Sequence, residues 1–194
     1  MGLVGKIGSV VGVLGALGGG VATVSYLNRD NTTIEDTLKK VGYQILDNTT
    51  SELTKVLTAY KEIPNKETVF GEIANENGLL SKCQEILKQN DKKNYPLARR
   101  WCVKEETMDA MLKRNSYTPI GASGQDGNNA KWQAKVTLLK KDKNNEMKLT
   151  LGTTNDVDVL EKACQALQIT QSKTHASDDF EEKYIKASKW CSEK

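Results

Sequence analysis

The chain has 194 residues, with 28 Lys and Arg against 25 Asp and Glu, 38% hydrophobic and 6% aromatic; that suffices for one ordinary domain or two very small ones and excludes a large enzyme barrel. The net charge is +3, and with Lys6 the one Lys or Arg before residue 28, the remainder carries 27 positive against 25 negative groups, so no strong field draws it to nucleic acid or acidic lipid. A single histidine, His175, sits in a polar run and leaves little with which to build a His-based triad or a His-rich metal site, so no cofactor is expected.

Residues 7–27 contain no charged side chain. About 21 residues at 1.5 Å each would span about 30 Å as a helix, the thickness of a bilayer core. Lys6 precedes the run, and Tyr26, Arg29 and Asp30 follow it, which is the pattern of an N-terminal transmembrane anchor over residues 1–30. Gly8, Gly12, Ala16 and Gly20 recur every fourth residue, a stripe of small residues suited to packing against a second copy and hence to a homo-oligomer. A cleaved signal peptide is the competing reading, with Gly20-Val21-Ala22 supplying small residues for cleavage. Either reading sends the rest of the chain across a membrane. A dinucleotide fingerprint at Gly15 to Gly20 is disfavoured, because another apolar stretch follows where an amphipathic helix is required. Lipid attachment is disfavoured too: no Cys precedes Cys83, and Lys6 stands where a myristoylation signal has Ser or Thr.

Beyond residue 30 the chain resembles itself. Thr33 to Tyr43 aligns without gaps on Thr107 to Tyr117, Lys55-Val56 on Lys135-Val136, and Leu79, Cys83 and Gln84 on Leu160, Cys164 and Gln165. The most specific block sets Tyr95, Ala98, Arg100, Trp101 and Cys102 against Tyr184, Ala187, Lys189, Trp190 and Cys191. The offsets only grow, as a tandem duplication would leave if the second copy gained loop residues. Two modules follow, 31–104 and 105–194, with polar insertions in the second at 121–129 and 170–179. His175 falls in the latter and reads as a solvated loop residue.

Each module reads as mainly α-helical, with minor β. Ile34, Leu38, Val41 and Met108, Met111, Leu112 have helical spacing, behind Thr32 or Thr33 and Glu105 to Thr107 as helix starts, with ends expected before Gly42 and Ser116. Leu53, Val56, Leu57, Tyr60 and Trp132, Val136, Leu139 also suit helices, although 135–138 fits a short strand equally well. Apolar stripes carry Cys83 and Cys164, with Asn155-Asp156 at the start of the second. Tyr184, Ala187, Trp190 and Cys191 lie at spacings of three and four, and Pro96 suits a first helical turn beside Tyr95.

Behind an export segment, the two equivalent cysteine pairs read as one disulfide per module, Cys83 with Cys102 and Cys164 with Cys191, each worth about 3 kcal/mol on the chain-entropy estimate. Trp101 and Trp190 are then expected to pack over the sulfurs. Four free buried thiols remain the alternative if this region faces a cytoplasm. Closely spaced zinc knuckles are missing, and a catalytic Cys would lack its His partner.

An apolar Gly/Ala run, Thr-Ile followed by Leu-Lys-Lys-x-Gly-Tyr, Arg-Arg-Trp-Cys-Val near residue 100, Trp132 and a closing Lys-Trp-Cys together resemble the large paralogous families of roughly 200-residue uncharacterised proteins of haemotropic mycoplasmas. The 24 Lys against 4 Arg, with 14 Asn, suit an AT-rich genome. Lys104-Glu105-Glu106 after Trp-Cys-Val departs from the pattern. The resemblance implies a membrane-associated or surface-exposed protein serving antigenic variation and contact with red cells, and it assigns no enzymatic site.

The expectation is therefore a single-pass cell-membrane protein with the bulk of the chain outside. It is read as no enzyme but a surface antigen involved in immune evasion or host-cell contact, its partners a host surface protein or an antibody. The other class is a membrane-tethered small-ligand-binding module or hydrolase, which needs convergent polar groups. The paired carboxylates Asp178-Asp179 and Glu181-Glu182 are available for that, but at a helix start they more simply serve as caps and dipole partners.

Overall fold

The computed structural model of the chain describes residues 32–152 and 154–194. The anchor or signal expected over 1–30, and its Gly8, Gly12, Ala16, Gly20 stripe, lie outside the described residues. Among the described residues no helix is long and apolar enough to cross a membrane.

Thr33 starts the first helix, α1 (Ile34–Val41), with a reciprocal cap: its Oγ1 accepts from the Asp36 N–H at 3.1 Å while the Asp36 carboxylate accepts from the Thr33 N–H at 3.2 Å. Such a box satisfies two amides that the helix leaves open and contributes about 1 kcal/mol. Gly42 ends the helix at φ 108°, a left-handed conformation that costs glycine nothing. The remaining helices are α2 (Thr50–Lys61), α3 (Glu76–Leu87), α4 (Tyr95–Trp101), α5 (Met108–Arg114), α6 (Asn128–Lys140), α7 (Asp156–Gln165) and α8 (Phe180–Trp190). Short 3-10 turns at Lys66–Thr68 and Lys92–Asn94 join α2 to α3 and α3 to α4.

The alternative strand at 135–138 is not formed. Trp132, Val136 and Leu139 are buried while Leu138 is 55% exposed, a spacing of four and three that continues a helix from Asn128. Pro96 sits in the first turn of α4, where its missing N–H is not needed. At α7 Asn155 occupies the N-cap position, and Asp156, in the first turn, accepts from the Gly152 N–H at 2.9 Å and pairs with Lys140 at 2.6 Å.

The helix order of the first half recurs in the second, and so do particular bonds. Thr107 caps α5 as Thr33 caps α1, accepting from the Ala110 N–H at 3.2 Å. The Tyr43 and Tyr117 amides return to Leu38 and Leu112, at 3.0 and 2.9 Å. The Cys102 and Cys191 amides donate to Ala98 and Ala187, at 2.8 and 3.0 Å. Each half closes on itself through one more equivalent pair, Leu46 N–H to Cys102 C=O and Ile120 N–H to Cys191 C=O, both at 2.9 Å. In the first half this closure is a single bridge, Ile45 to Val103. In the second it is a two-residue antiparallel ribbon, β1 (Thr118–Pro119) with β2 (Ser192–Glu193), so the β content is small, as expected.

The disulfides are Cys83–Cys102, joining α3 to the end of α4, and Cys164–Cys191, joining α7 to the end of α8, with Cα separations of 5.2 and 5.7 Å. Both pairs are buried, and among the described residues no cysteine is free. Buried side chains of both halves form one hydrophobic core, with Tyr43, Trp101 and Met108 in the same cluster as Leu112, Phe180 and Tyr184.

Candidate functional site

Of the residues singled out from the sequence, Tyr95, Arg100, Trp101, His175, Asp178 and Glu181 meet at the seam between the two halves, and the polar segment 170–179 builds most of that seam. It is tied to the start of α5 by a backbone bond from Met108 N–H to Ser172 C=O at 2.8 Å, and to the linker before α5 by one from Thr174 N–H to Glu106 C=O at 3.1 Å. Thr174 also donates its hydroxyl to the Lys104 carbonyl at 3.2 Å, and Lys173 pairs with Glu105 at 3.1 Å. Thr174 and His175 are buried, at 0% and 5% exposure, so the reading of His175 as a solvated loop residue is wrong. Polar composition misled there because hydrogen bonds to α4 and the 104–109 linker replace the water that the segment would otherwise need.

His175 lies flat against Trp101, with ring centroids 5.8 Å apart and planes 3° apart. Trp101 receives the edge of Tyr60 at 5.2 Å and the Arg100 guanidinium over its face at 4.9 Å. These ring contacts of Trp101 are aromatic and cationic, while the Sγ of Cys83 lies 3.5 Å from the Trp101 carbonyl oxygen. The imidazole Nδ1 bonds the Arg100 carbonyl, which makes Nδ1 the donor, and Nε2 is buried with no hydrogen-bond partner. Burial holds His175 below the ordinary imidazole value, against the raising pull of its bond to Arg100 and of the Glu105 charge, with smaller lowering contributions from the guanidiniums of Arg99 and Arg100.

The two arginines clamp the strap from α4. Arg100 donates through Nε to the His175 carbonyl at 3.3 Å and pairs through Nη1 with Asp178 at 2.8 Å. Arg99, 4% exposed, donates to the Asp178 carbonyl at 3.2 Å. Next to it the Tyr95 hydroxyl donates to Glu181 Oε2 at 2.8 Å, with Glu181 3% exposed. The Tyr43 ring lies 6.3 Å from that of Phe180, and its hydroxyl senses the charges on Glu181 and Arg99 without reaching hydrogen-bond geometry. Burial raises Glu181 above the usual carboxylate range, against the lowering effects of Tyr95 and Arg99. Burial likewise pushes the Tyr95 phenol far up, with the Glu181 charge adding to it. Glu181 is thus no solvent-facing dipole partner, although it does lie in the first turn of α8. Glu182 pairs with Lys186 at 2.6 Å, and Asp179 accepts from Ser177 and pairs with Lys183 at 3.0 Å.

The remaining repeat residues take structural places. Ala98 and Ala187 are fully buried under their helices, and Tyr184 accepts from the Asn115 amide at 3.0 Å. Lys189 stands over the Trp190 ring at 4.6 Å, as Arg100 stands over Trp101, and both Lys189 and the Trp190 indole N–H reach Glu146, at 2.8 and 3.1 Å. Burial pushes the Tyr184 phenol up to about 12.

Arg99 and Tyr43 are not singled out from the sequence as seam residues, and Glu181 reads there only as a carboxylate at a helix start, not as a buried one. The signal was present in the helical phase: Arg99 is four residues from Tyr95, and Glu181 three from Tyr184, each on the buried face of its helix. A buried charge is rare enough that phase alone did not call for it.

A cleft of about 510 Å³ opens beside the second disulfide, between Trp132, Ile120 and Ile169 and the amides Gln165, Gln168 and Gln171. Its one carboxylate, Glu161, accepts from the Ser123 N–H at 3.3 Å and the Gln165 amide at 3.4 Å. Among the described residues no group of three or more His, Cys, Asp or Glu is placed to hold a metal ion. Comparison with family models, with characterised proteins and with solved structures gave no match.

Proposed function

We propose that this chain is an exported, membrane-anchored surface protein that presents exposed polar loops on a disulfide-stapled helical scaffold, serving antigenic variation and contact with host cells. The observation that carries the reading is the pair of buried disulfides, one inside each half. Such bonds persist in oxidising surroundings and are spent on domains whose cores are small, which fits residues 32–194 lying outside the cell. Tandem duplication of a module with one staple accounts for the matched caps, closures and cysteine pairs of the two halves. The contact surface falls on 121–129, where only Ser123 and Asn128 are partly buried and the rest is exposed. Segment 170–179, the other insertion, is largely engaged with the first half and contributes less.

Two measurements test this. Protease shaving of intact cells should release fragments of 32–194, and protection of that region until lysis would overturn the orientation. The purified chain should bind red cells, and replacing 121–129 by Gly and Ser should abolish binding while leaving the circular dichroism unchanged. Unaltered binding would remove that loop as the contact surface. The cleft beside Cys164–Cys191 supports the second reading, a module that captures a small uncharged ligand, because its lining is amide and apolar. Saturable binding of such a compound, lost on Gln168→Ala, would favour it.

A further inference from the structure

Two other features carry less than the seam. The cleft beside the second disulfide offers exposed amides and Glu161, which is already bonded to the Ser123 N–H and the Gln165 amide, and the basic residues near Thr32 are already engaged, Lys92 with the Thr32 and Thr33 carbonyls and Lys93 with Asp91. The seam, by contrast, holds the only histidine of the chain in a setting built for one protonation state.

We propose that His175 makes the strap 172–179 an acid-released clasp: the strap is docked on α4 while the imidazole is neutral and lets go when the ring is protonated. The geometry has three parts. Nδ1 is committed as a donor to the Arg100 carbonyl, so an added proton must sit on Nε2. Nε2 is buried and faces no acceptor, so that proton would be an unmet donor carrying charge. The ring stacks on Trp101 and is buried beside the guanidiniums of Arg99 and Arg100, so the new charge meets like charge where burial already disfavours it.

The charged groups acting on the ring are Glu105 from the linker and Arg99 and Arg100 from α4; the other charged groups on the elements packed here are Lys104 and Glu106 of the linker, Lys173, Asp178 and Asp179 of the strap, and Glu181 of α8. Most are matched already: Arg100 with Asp178, Lys173 with Glu105, Lys104 with Asp47, Asp179 with Lys183. Glu106 is held by Arg114. Glu105 is the one carboxylate whose field favours the imidazolium, and it ranks below burial among the influences on the ring.

The sign follows from linkage. The docked ring holds its proton less tightly than the free one, so undocked chain takes up more protons and docking weakens as pH falls through the ordinary imidazole value of about 6.5. Above that value the clasp is complete. Glu181 works the other way, because its raised carboxyl is relieved by protonation and favours docking at low pH. The Glu181→Gln background therefore isolates the histidine. Release uncovers Trp101 and Phe180, which are buried in the docked state.

The test is NMR on the full chain, where one histidine gives one imidazole signal, together with hydrogen exchange of the 172–179 amides corrected for intrinsic rate. The proposal expects the ring to titrate below about 6.5, with strap protection falling at least tenfold across the same transition, in the wild type and in Glu181→Gln. His175→Gln, which keeps a donor for the Arg100 carbonyl, and His175→Phe, which keeps the ring on Trp101, should lose that dependence. A ring that titrates near 6.5 with the strap still protected, or a variant docked at pH 7.5 that opens on acidification as the wild type does, overturns it. If both variants are undocked at neutral pH, the wild-type coincidence of titration and opening decides alone: coincidence supports the clasp and separation overturns it.

Discussion

The Tyr95 hydroxyl donates to Glu181 Oε2 at 2.8 Å across the seam, joining the first turn of α4 to the first turn of α8 in a place that water does not reach. A buried carboxylate without its donor is expensive, and Tyr95 is the donor that Glu181 has been given. Tyr95→Phe should therefore lower stability by about 1–3 kcal/mol, read as a shift in the urea midpoint at unchanged slope. In the double variant with Glu181→Gln the two losses should not add, because both remove the same bond.

The same carboxyl predicts a pH effect. Its raised folded value means that the contribution of Glu181 to stability is fully present below the unfolded carboxyl value of about 4.3 and is lost as pH rises through the folded value. Glu181→Gln should accordingly flatten the fall of stability on the alkaline side of that window. Thermal melts of both chains across the window, run in the His175→Gln background, would check it.

Gly42 closes α1 at φ 108°, and a Cβ added there would meet the Asn115 side chain at 2.4 Å. Asn115 is the amide that bonds both the Gly42 carbonyl, at 3.2 Å, and the Tyr184 hydroxyl. Gly42→Ala should cost about 1–2 kcal/mol from backbone strain alone, with the displaced amide adding to it. Ser116 occupies the matching place after α5 at φ 65°, so Ser116→Gly should be neutral or stabilising. Denaturant curves of the two variants, side by side, give opposite signs if the argument holds.

Each disulfide should be worth about 3 kcal/mol, since they close separations of 19 and 27 residues. Non-reducing peptide mapping should return only Cys83 with Cys102 and Cys164 with Cys191. Cys83→Ser with Cys102→Ser should lower the urea midpoint by a shift of that size, and alkylation of the untreated chain in denaturant should find no thiol.

Local structure was the legible part of the sequence. Thr33 and Thr107 as caps, the cysteine-bearing stripes and Pro96 in a first turn follow from short-range spacing, the pairing of the cysteines follows from the repeat, and the structure has each of them. The seam was not legible, because its partners are distant: Arg100 meets Asp178 and Tyr95 meets Glu181 only after the two halves dock. A hydrophilic string such as Gln171 to Asp179 reads as solvated when its hydrogen-bonding partners cannot be seen, and that is what hid His175 and Thr174.

The strap that completes the first half is supplied by the chain about seventy positions later. During synthesis or translocation from the N-terminus, α1 to α4 can close through the Ile45 to Val103 bridge and their own disulfide, yet Arg99 and the face of Trp101 wait uncovered until residues 174–181 emerge. Cutting the gene at residue 104 would thus yield a first product with a charged and aromatic scar and a second with an untethered tail. The two halves share a template, but only in one polypeptide does either become finished.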